Sequence, residues 1–137
     1  KSVFKKVSFN EKIPNLRHED TLFASELKRE IINIVHLENP VYHLGLETNK
    51  QFLEKSLQSV KAISIFINQG LITYDVILIT KVYFYLKKTC LTQLLKYIYL
   101  NHKIRFHFEK QLLSRKPSLC IFDLYRLSYL CSLNTKN

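Results

Sequence analysis

The stretch from residue 52 to residue 88 most constrains the fold, because it predicts two helices joined by one sharp turn. Gly70 follows the first helix, and glycine just past a helix end adopts the left-handed cap conformation without a side-chain clash. We expect Thr73 to cap the second helix, with Asp75 in its first turn, where the helix dipole favours negative charge. The apolar residues of the first helix recur at roughly helical spacing: they are Leu57, Val60, Ile63, Ile65, Phe66 and Ile67.

The second predicted helix, Tyr74 to Lys88, is apolar almost all round, so we expect it in the middle of the domain. A β-hairpin is the competing interpretation, because both apolar runs are rich in β-branched residues. The alternation of a half-buried strand is absent, however, and a run of about fifteen residues exceeds most strands. The chain also has only two glycines and three prolines for turns. We therefore predict an all-α fold.

The remainder of the first half predicts an arm and one more helix. Residues 1–20 contain Pro14 and show no helical period, which predicts an extended, flexible arm. Thr21 is expected to cap a helix that runs to about His36. We expect residues 21–137 to form one helical domain.

Two further helices are expected in the second half, over residues 91–100 and 119–136, whereas residues 102–116 have no clear assignment. The positive charge of the chain is concentrated in this second half. Residues 51–137 carry thirteen basic and four acidic side chains, within a net charge of +10 for the 137-residue chain. Such a surplus favours nucleic acid or acidic proteins as partners.

Composition argues against several other classes of protein. The chain contains no methionine, which predicts a fragment of a longer protein. We expect no membrane partner, because no uncharged run is long enough to span a bilayer. The three cysteines, without a visible secretory signal, favour a reducing intracellular compartment, cytoplasmic or nuclear.

No catalytic or metal-binding motif is present in the sequence. There is no glycine-rich phosphate loop, no Gly-x-Ser-x-Gly turn and no His-Glu-x-x-His helix. The cysteines and the five histidines lack the spacing of metal ligands. We expect neither an enzyme nor a cofactor, and a binding or regulatory module is the better interpretation.

Two segments resemble the cyclin box, in particular that of the fungal phosphate-response cyclins. SLQSVKAISIFINQGLITYDVILITKVYFYLKK is similar to the first two helices of that family, and IFDLYRLSYLCSLNTK is similar to the third. Tyr125 and Arg126 stand at the position of the family's His-Arg pair, and Lys136 at that of its lysine. Compared with the family, residues 91–116 form an insertion, and the fourth and fifth helices are not present.

The resemblance implies a truncated, cyclin-like helical domain that is not an enzyme and regulates a cyclin-dependent kinase in the cell cycle. A helical surface of such a module repositions the kinase's mobile helix. Lys136 would contact the kinase by hydrogen-bonding the loop beside that helix.

A basic nucleic-acid-binding domain is the alternative from another functional class. Phe106 and Phe108 lie beside basic residues and are the best candidates for a base-stacking platform. These basic residues are Lys103, Arg105 and Lys110. The competing interpretation is that both rings pack on the helical core.

The arm has a separate resemblance. Lys5-Lys6-Val7-Ser8-Phe9 is similar to the basic-Val-x-Phe docking motif of protein phosphatase 1 regulatory subunits. An extended strand adds to a sheet edge, and Val7 and Phe9 would fill two pockets, with Lys6 as the basic residue. Ser8 follows two lysines, the context of a basophilic kinase, so it is a candidate for phosphorylation.

Overall fold

The computed structural model describes residues 3–9, 17–35, 37–42, 45, 47–73, 75–89 and 91–134. Within these residues the secondary structure is helical and contains no strand, which confirms the all-α prediction and excludes the hairpin. The helices are α1 (Val3–Lys6), α2 (Glu19–Arg29), α3 (Asn49–Asn68), α4 (Leu78–Lys87), α5 (Leu91–Leu100), α6 (His102–Leu112) and α7 (Leu119–Asn134).

Helix α7 is the centre of the domain, because α3, α4, α5 and α6 all pack against it. Its buried side chains are Tyr125, Ser128, Leu130 and Cys131. Leu130 and Cys131 join a main core built from α3, α4 and α5 together with Leu22 of α2 and Ile72. A smaller apolar cluster lies beside it, where Leu53 of α3 and Leu112 of α6 meet Tyr125.

Helix α3 is defined by specific bonds at both ends. Thr48 caps its start, since the threonine hydroxyl accepts from the Gln51 amide while the Gln51 side chain accepts from the Thr48 amide. At the other end Gly70 has φ 67°, and the Leu71 amide donates to the Phe66 carbonyl at 2.9 Å. This is the Schellman arrangement, so the predicted glycine cap is confirmed.

For the second predicted helix, Tyr74 to Lys88, both the predicted start and the predicted central position are wrong. Helix α4 begins at Leu78 instead of near residue 74, and the Thr73 hydroxyl bonds to the Asp75 side chain instead of capping a helix. The physical reason is the linker, where Ile72 enters the core and holds the chain before α4 begins. Helix α4 is not central either, because Leu78 is 75% exposed and Tyr85 is 72% exposed.

Helix α2 is shorter than predicted and starts earlier. It runs from Glu19 with His18 as N-cap, and Ile31, just beyond its end, has a positive φ of 56°. Packing, more than intrinsic propensity, sustains short helices. Ile31 is 90% exposed and Val35 is also exposed, so neither side chain packs in a way that would extend the helix toward position 36, which lies outside the described residues.

Two of the remaining helices match the predictions, and the other two form where no helix was predicted. Helix α5 is confirmed over residues 91–100, and α7 begins at Leu119 as predicted. The unassigned segment contains α6, which Asn101 caps by accepting from the amides of Lys103 and Ile104. The arm was expected to be extended, but Val3–Lys6 forms the short helix α1.

Candidate interaction surfaces

The last described turn of α7 is held in place by side-chain hydrogen bonds. The Ser64 hydroxyl of α3 donates to the Asn134 side-chain oxygen at 2.9 Å, and the Asn134 amide group donates to the Leu130 carbonyl at 3.1 Å. This anchors the helix end that precedes Lys136 in the sequence. Lys136 itself lies outside the described residues.

A partly buried polar contact joins α6 to α7. The Tyr125 hydroxyl donates to Glu109 Oε1 at 2.7 Å, and Arg105 lies 3.6 Å from the same carboxylate. Burial and the bond to Glu109 raise the pKa of Tyr125 well above its ordinary value, so the hydroxyl stays protonated and able to donate. The role of this contact is structural.

Arg126 lies beside an aromatic stack. Together with Tyr125, it corresponds to the His-Arg pair in the resemblance to the cyclin box. Its guanidinium is 5.1 Å from the centroid of the Phe122 ring, which in turn stacks on Phe52 of α3. The Arg126 Nε atom is buried and has no hydrogen-bond partner among the residues that the structure describes. Desolvation lowers the Arg126 pKa, and the nearby Asp123 charge partly opposes this effect.

Two adjacent helices expose a set of large apolar side chains. Helices α4 and α5 pack against each other, yet each leaves one stripe of such residues in solvent. Only lysines provide charge here, since residues 76–100 contain four lysines and no carboxylate. We call this surface the α4–α5 face; its exposed apolar members are Leu78, Val82, Tyr85, Leu91, Leu94, Tyr97 and Leu100. Large exposed apolar patches are typical of interaction sites, so these two stripes are a candidate site.

Sequence reasoning missed this face. The apolar residues of α4 were interpreted as core because they surround the whole helix. A signal was available, since a lysine interrupts the apolar sequence of each helix, at Lys81 in α4 and at Lys96 in α5.

The predicted stacking platform on α6 is only partly assembled. Phe106 is 55% exposed, and Lys103 and Lys110 are exposed on the same helix. Phe108 instead packs against the smaller apolar cluster, with its ring 6.4 Å from that of Tyr125. Arg105 is drawn toward Glu109, as described above, and lies over the Tyr99 ring at 5.7 Å. One aromatic ring and two lysines therefore face solvent.

The two apolar residues of the predicted docking motif, Val7 and Phe9, contact the protein itself, although Phe9 stays 51% exposed. Val7 is only 4% exposed, and the Phe9 ring stacks on that of Phe23 in α2, with centroids 4.3 Å apart. The Phe4 ring approaches the same Phe23 ring at 6.0 Å. Lys6 and Ser8, by contrast, are exposed. The described part of the arm thus has a packed side, which we did not expect.

His18 links the start of α2 to α3. Its Nδ1 lies 3.1 Å from the Thr21 hydroxyl, and its Nε2 is hydrogen-bonded to the Ser59 hydroxyl. Burial lowers the His18 pKa below its ordinary value; Asp20 opposes this effect, and the charge of Arg126 reinforces it. A neutral imidazole suits this position, because one ring nitrogen can then accept.

The cysteines and histidines that the structure describes form no candidate metal centre. Cys131 is buried, and burial raises its pKa to about 11, whereas Cys120 is exposed. The described residues contain no group of three potential metal ligands. Three of the residues considered at the outset, Cys90, His36 and His43, lie outside those residues.

Across the described part of the chain, no helix is both long and apolar enough to cross a membrane. Comparison with models of known families, with curated proteins and with solved structures gives no match for the chain.

Proposed function

We propose that the protein is a non-catalytic regulatory module that binds a cyclin-dependent kinase, as the cyclin-box resemblance implies. The observation that carries the proposal is the α4–α5 face. A specific complex buries roughly 800 Å² on each partner and has an apolar centre with a polar rim. The exposed leucines and tyrosines of this face supply such a centre, and Lys81, Lys87 and Lys88 of the same segment are exposed as well.

The arrangement of the resembling segments supports the same proposal. The two segments contain three helices, α3, α4 and α7, and α7 packs against both of the others. The hydrogen bonds of Asn134 hold the last described turn of α7 in place, and Lys136 follows this turn in the sequence.

Co-purification of kinases with the full chain, followed by titration with the recovered kinase, tests this proposal. Lys136→Ala should weaken the complex by about 1–3 kcal/mol, the loss expected for a charged hydrogen bond. Lys50→Ala is the matched control, because Lys50 is an exposed lysine in the first turn of α3. Recovery of no kinase, or equal affinities for the two variants, would contradict the proposal.

Nucleic-acid binding is a second candidate function, favoured by the exposed Phe106 between Lys103 and Lys110. The lysines would neutralise backbone phosphates, and the ring would stack on an unpaired base. Phe108 plays no part in this version, since it packs inward.

Binding of a single-stranded oligonucleotide at several salt concentrations tests this second candidate. Affinity should fall steeply as salt rises, and Phe106→Ala should weaken binding by about 1–3 kcal/mol. Phe52→Ala is the control, because Phe52 is 56% exposed, nearly the same as Phe106, and lies on α3. No retention at low salt would exclude this function.

A further inference from the structure

The α4–α5 face carries positive charge and no negative charge of its own. Residues 76–100 contain no aspartate or glutamate, and their four lysines are Lys81, Lys87, Lys88 and Lys96. The first three are exposed, and none of the four takes part in an ion pair with any residue that the structure describes. Four positive charges of this segment are therefore left without a counter-charge.

The exposed apolar side chains of this face follow one line along each helix. On α4, Leu78, Val82 and Tyr85 recur at positions i, i+4 and i+7, which lie on one side of a helix. On α5 the exposed apolar residues recur at every third position, and they are Leu91, Leu94, Tyr97 and Leu100. A few anchors at such spacing are what an amphipathic helix needs when it binds an apolar groove.

Lysines interrupt or follow the line on α4. Lys81 is three positions after Leu78 and four before Tyr85, so it is a neighbour of both on the helix surface. Lys87 and Lys88 come at the end of the same helix. Apolar anchors and unpaired positive charges thus occur together along one exposed helix.

We propose that the partner binds the α4–α5 face with an acidic, amphipathic helix. Its apolar side chains pack on the exposed lines of α4 and α5, and its carboxylates pair with the lysines. The charge of the face selects this occupant, because a basic helix would bring like charges together, which costs binding free energy. This inference rests on the α4–α5 face being a docking surface, as in the proposed function, and adds the chemistry of the segment that binds there.

An anionic lipid surface has the same sign of charge, but the apolar residues favour a protein. Membrane binding of a surface helix scales with the apolar area that it buries in lipid. Helices α4 and α5 turn part of their apolar surface inward, since Tyr83 and Leu95 are buried. The short lines that remain outside suit a single partner helix better than a membrane.

Binding of two designed helical peptides to the full chain tests the proposal. Both carry leucine at i, i+3, i+4 and i+7, and the other positions are alanine with either glutamate or lysine. The glutamate peptide should bind, more slowly as salt rises, and the lysine peptide should not. Lys87→Glu with Lys88→Glu should weaken binding of the glutamate peptide about tenfold. Lys5→Glu with Lys6→Glu, the same change of charge at two exposed lysines of α1, should leave it unchanged.

Two further measurements separate lost charge from a damaged helix, because basic residues at the end of α4 also favour the helix dipole. Lys81→Glu lies inside the helix and should weaken the glutamate peptide too. The lysine peptide should gain affinity for the Lys87→Glu, Lys88→Glu variant, which damage to the helix would not produce.

Equal binding of the two peptides, binding of neither, or wild-type affinity in both charge variants would overturn the acidic partner. Binding of phosphatidylserine and phosphatidylcholine vesicles that is lost in Tyr85→Ala would assign the face to lipid instead. The two proposals fail separately. A kinase whose affinity for the face does not depend on salt leaves the proposed function standing and this inference wrong. Binding of the glutamate peptide without recovery of a kinase gives the reverse.

Discussion

Helices α4 and α7 are both rich in apolar residues, but they lie in opposite environments. Helix α7 packs against four other helices and buries Leu130 and Cys131 completely. Helix α4 packs against α5 and α7 and buries only Thr80 and Tyr83, whereas Leu78 and Tyr85 remain largely in solvent. Apolar content therefore does not decide which helix is central. The number of neighbouring helices that supply a complementary face decides it, and α4 leaves apolar surface in solvent, where we propose that a partner binds.

The largest expected effect tests this comparison by removing one leucine from each helix. Leu130→Ala should reduce the free energy of unfolding by about 2–5 kcal/mol, because it leaves a cavity in the core. Leu78→Ala should change it by no more than about 0.5 kcal/mol, since that side chain lies in solvent. Urea denaturation measures both, and similar losses would show that α4 is also part of the core.

A smaller effect is expected from the tyrosine hydroxyls. Tyr125→Phe removes the 2.7 Å bond to Glu109 and should cost about 1–2 kcal/mol of stability, because a partly buried carboxylate loses its donor. Tyr85→Phe on α4 should have no measurable effect on unfolding. Urea denaturation of the two variants side by side is the measurement. A cost at Tyr85 equal to that at Tyr125 would contradict the assignment of α4 to the surface.

The smallest effect concerns pH and the contact of α2 with α3. The His18 pKa is lower in the folded state than in the unfolded state, so the folded state binds fewer protons as the pH falls below about 6.5. His18 thus contributes stability that is present above its unfolded pKa and is lost as the pH falls toward its folded pKa. The melting temperature should decline more steeply from pH 7 to pH 5 in the wild type than in His18→Gln. Parallel declines would exclude this contribution.

Local signals in the sequence predicted part of the fold. Gly70 marked the end of α3, because glycine adopts the left-handed conformation that closes a helix without a side-chain clash. The apolar spacing of α5 and the start of α7 were equally clear. Each of these features depends on neighbours within a few residues in the chain.

The parts that depend on distant contacts were not predictable. The late start of α4 follows from burial of Ile72, and the early end of α2 follows from the absence of packing at Ile31. The Phe9 ring stacks on the Phe23 ring, and no pattern in the sequence indicates that these two segments meet. The α4–α5 face was hidden for the same reason, because a stripe of leucines and tyrosines looks the same whether a neighbouring helix covers it or not.

The central claim is that the α4–α5 face is a docking surface for the kinase, and affinity measurements on two tyrosine variants test it most directly. Tyr85→Ala removes a 72% exposed ring from the face, and Tyr42→Ala removes a 96% exposed ring from the segment between α2 and α3. Both variants should have the same urea midpoint of unfolding as the wild type. We expect Tyr85→Ala to weaken the kinase complex about tenfold or more, as aromatic residues at interface centres do, and Tyr42→Ala to leave it unchanged. Equal affinities of the two variants for the kinase would contradict the claim.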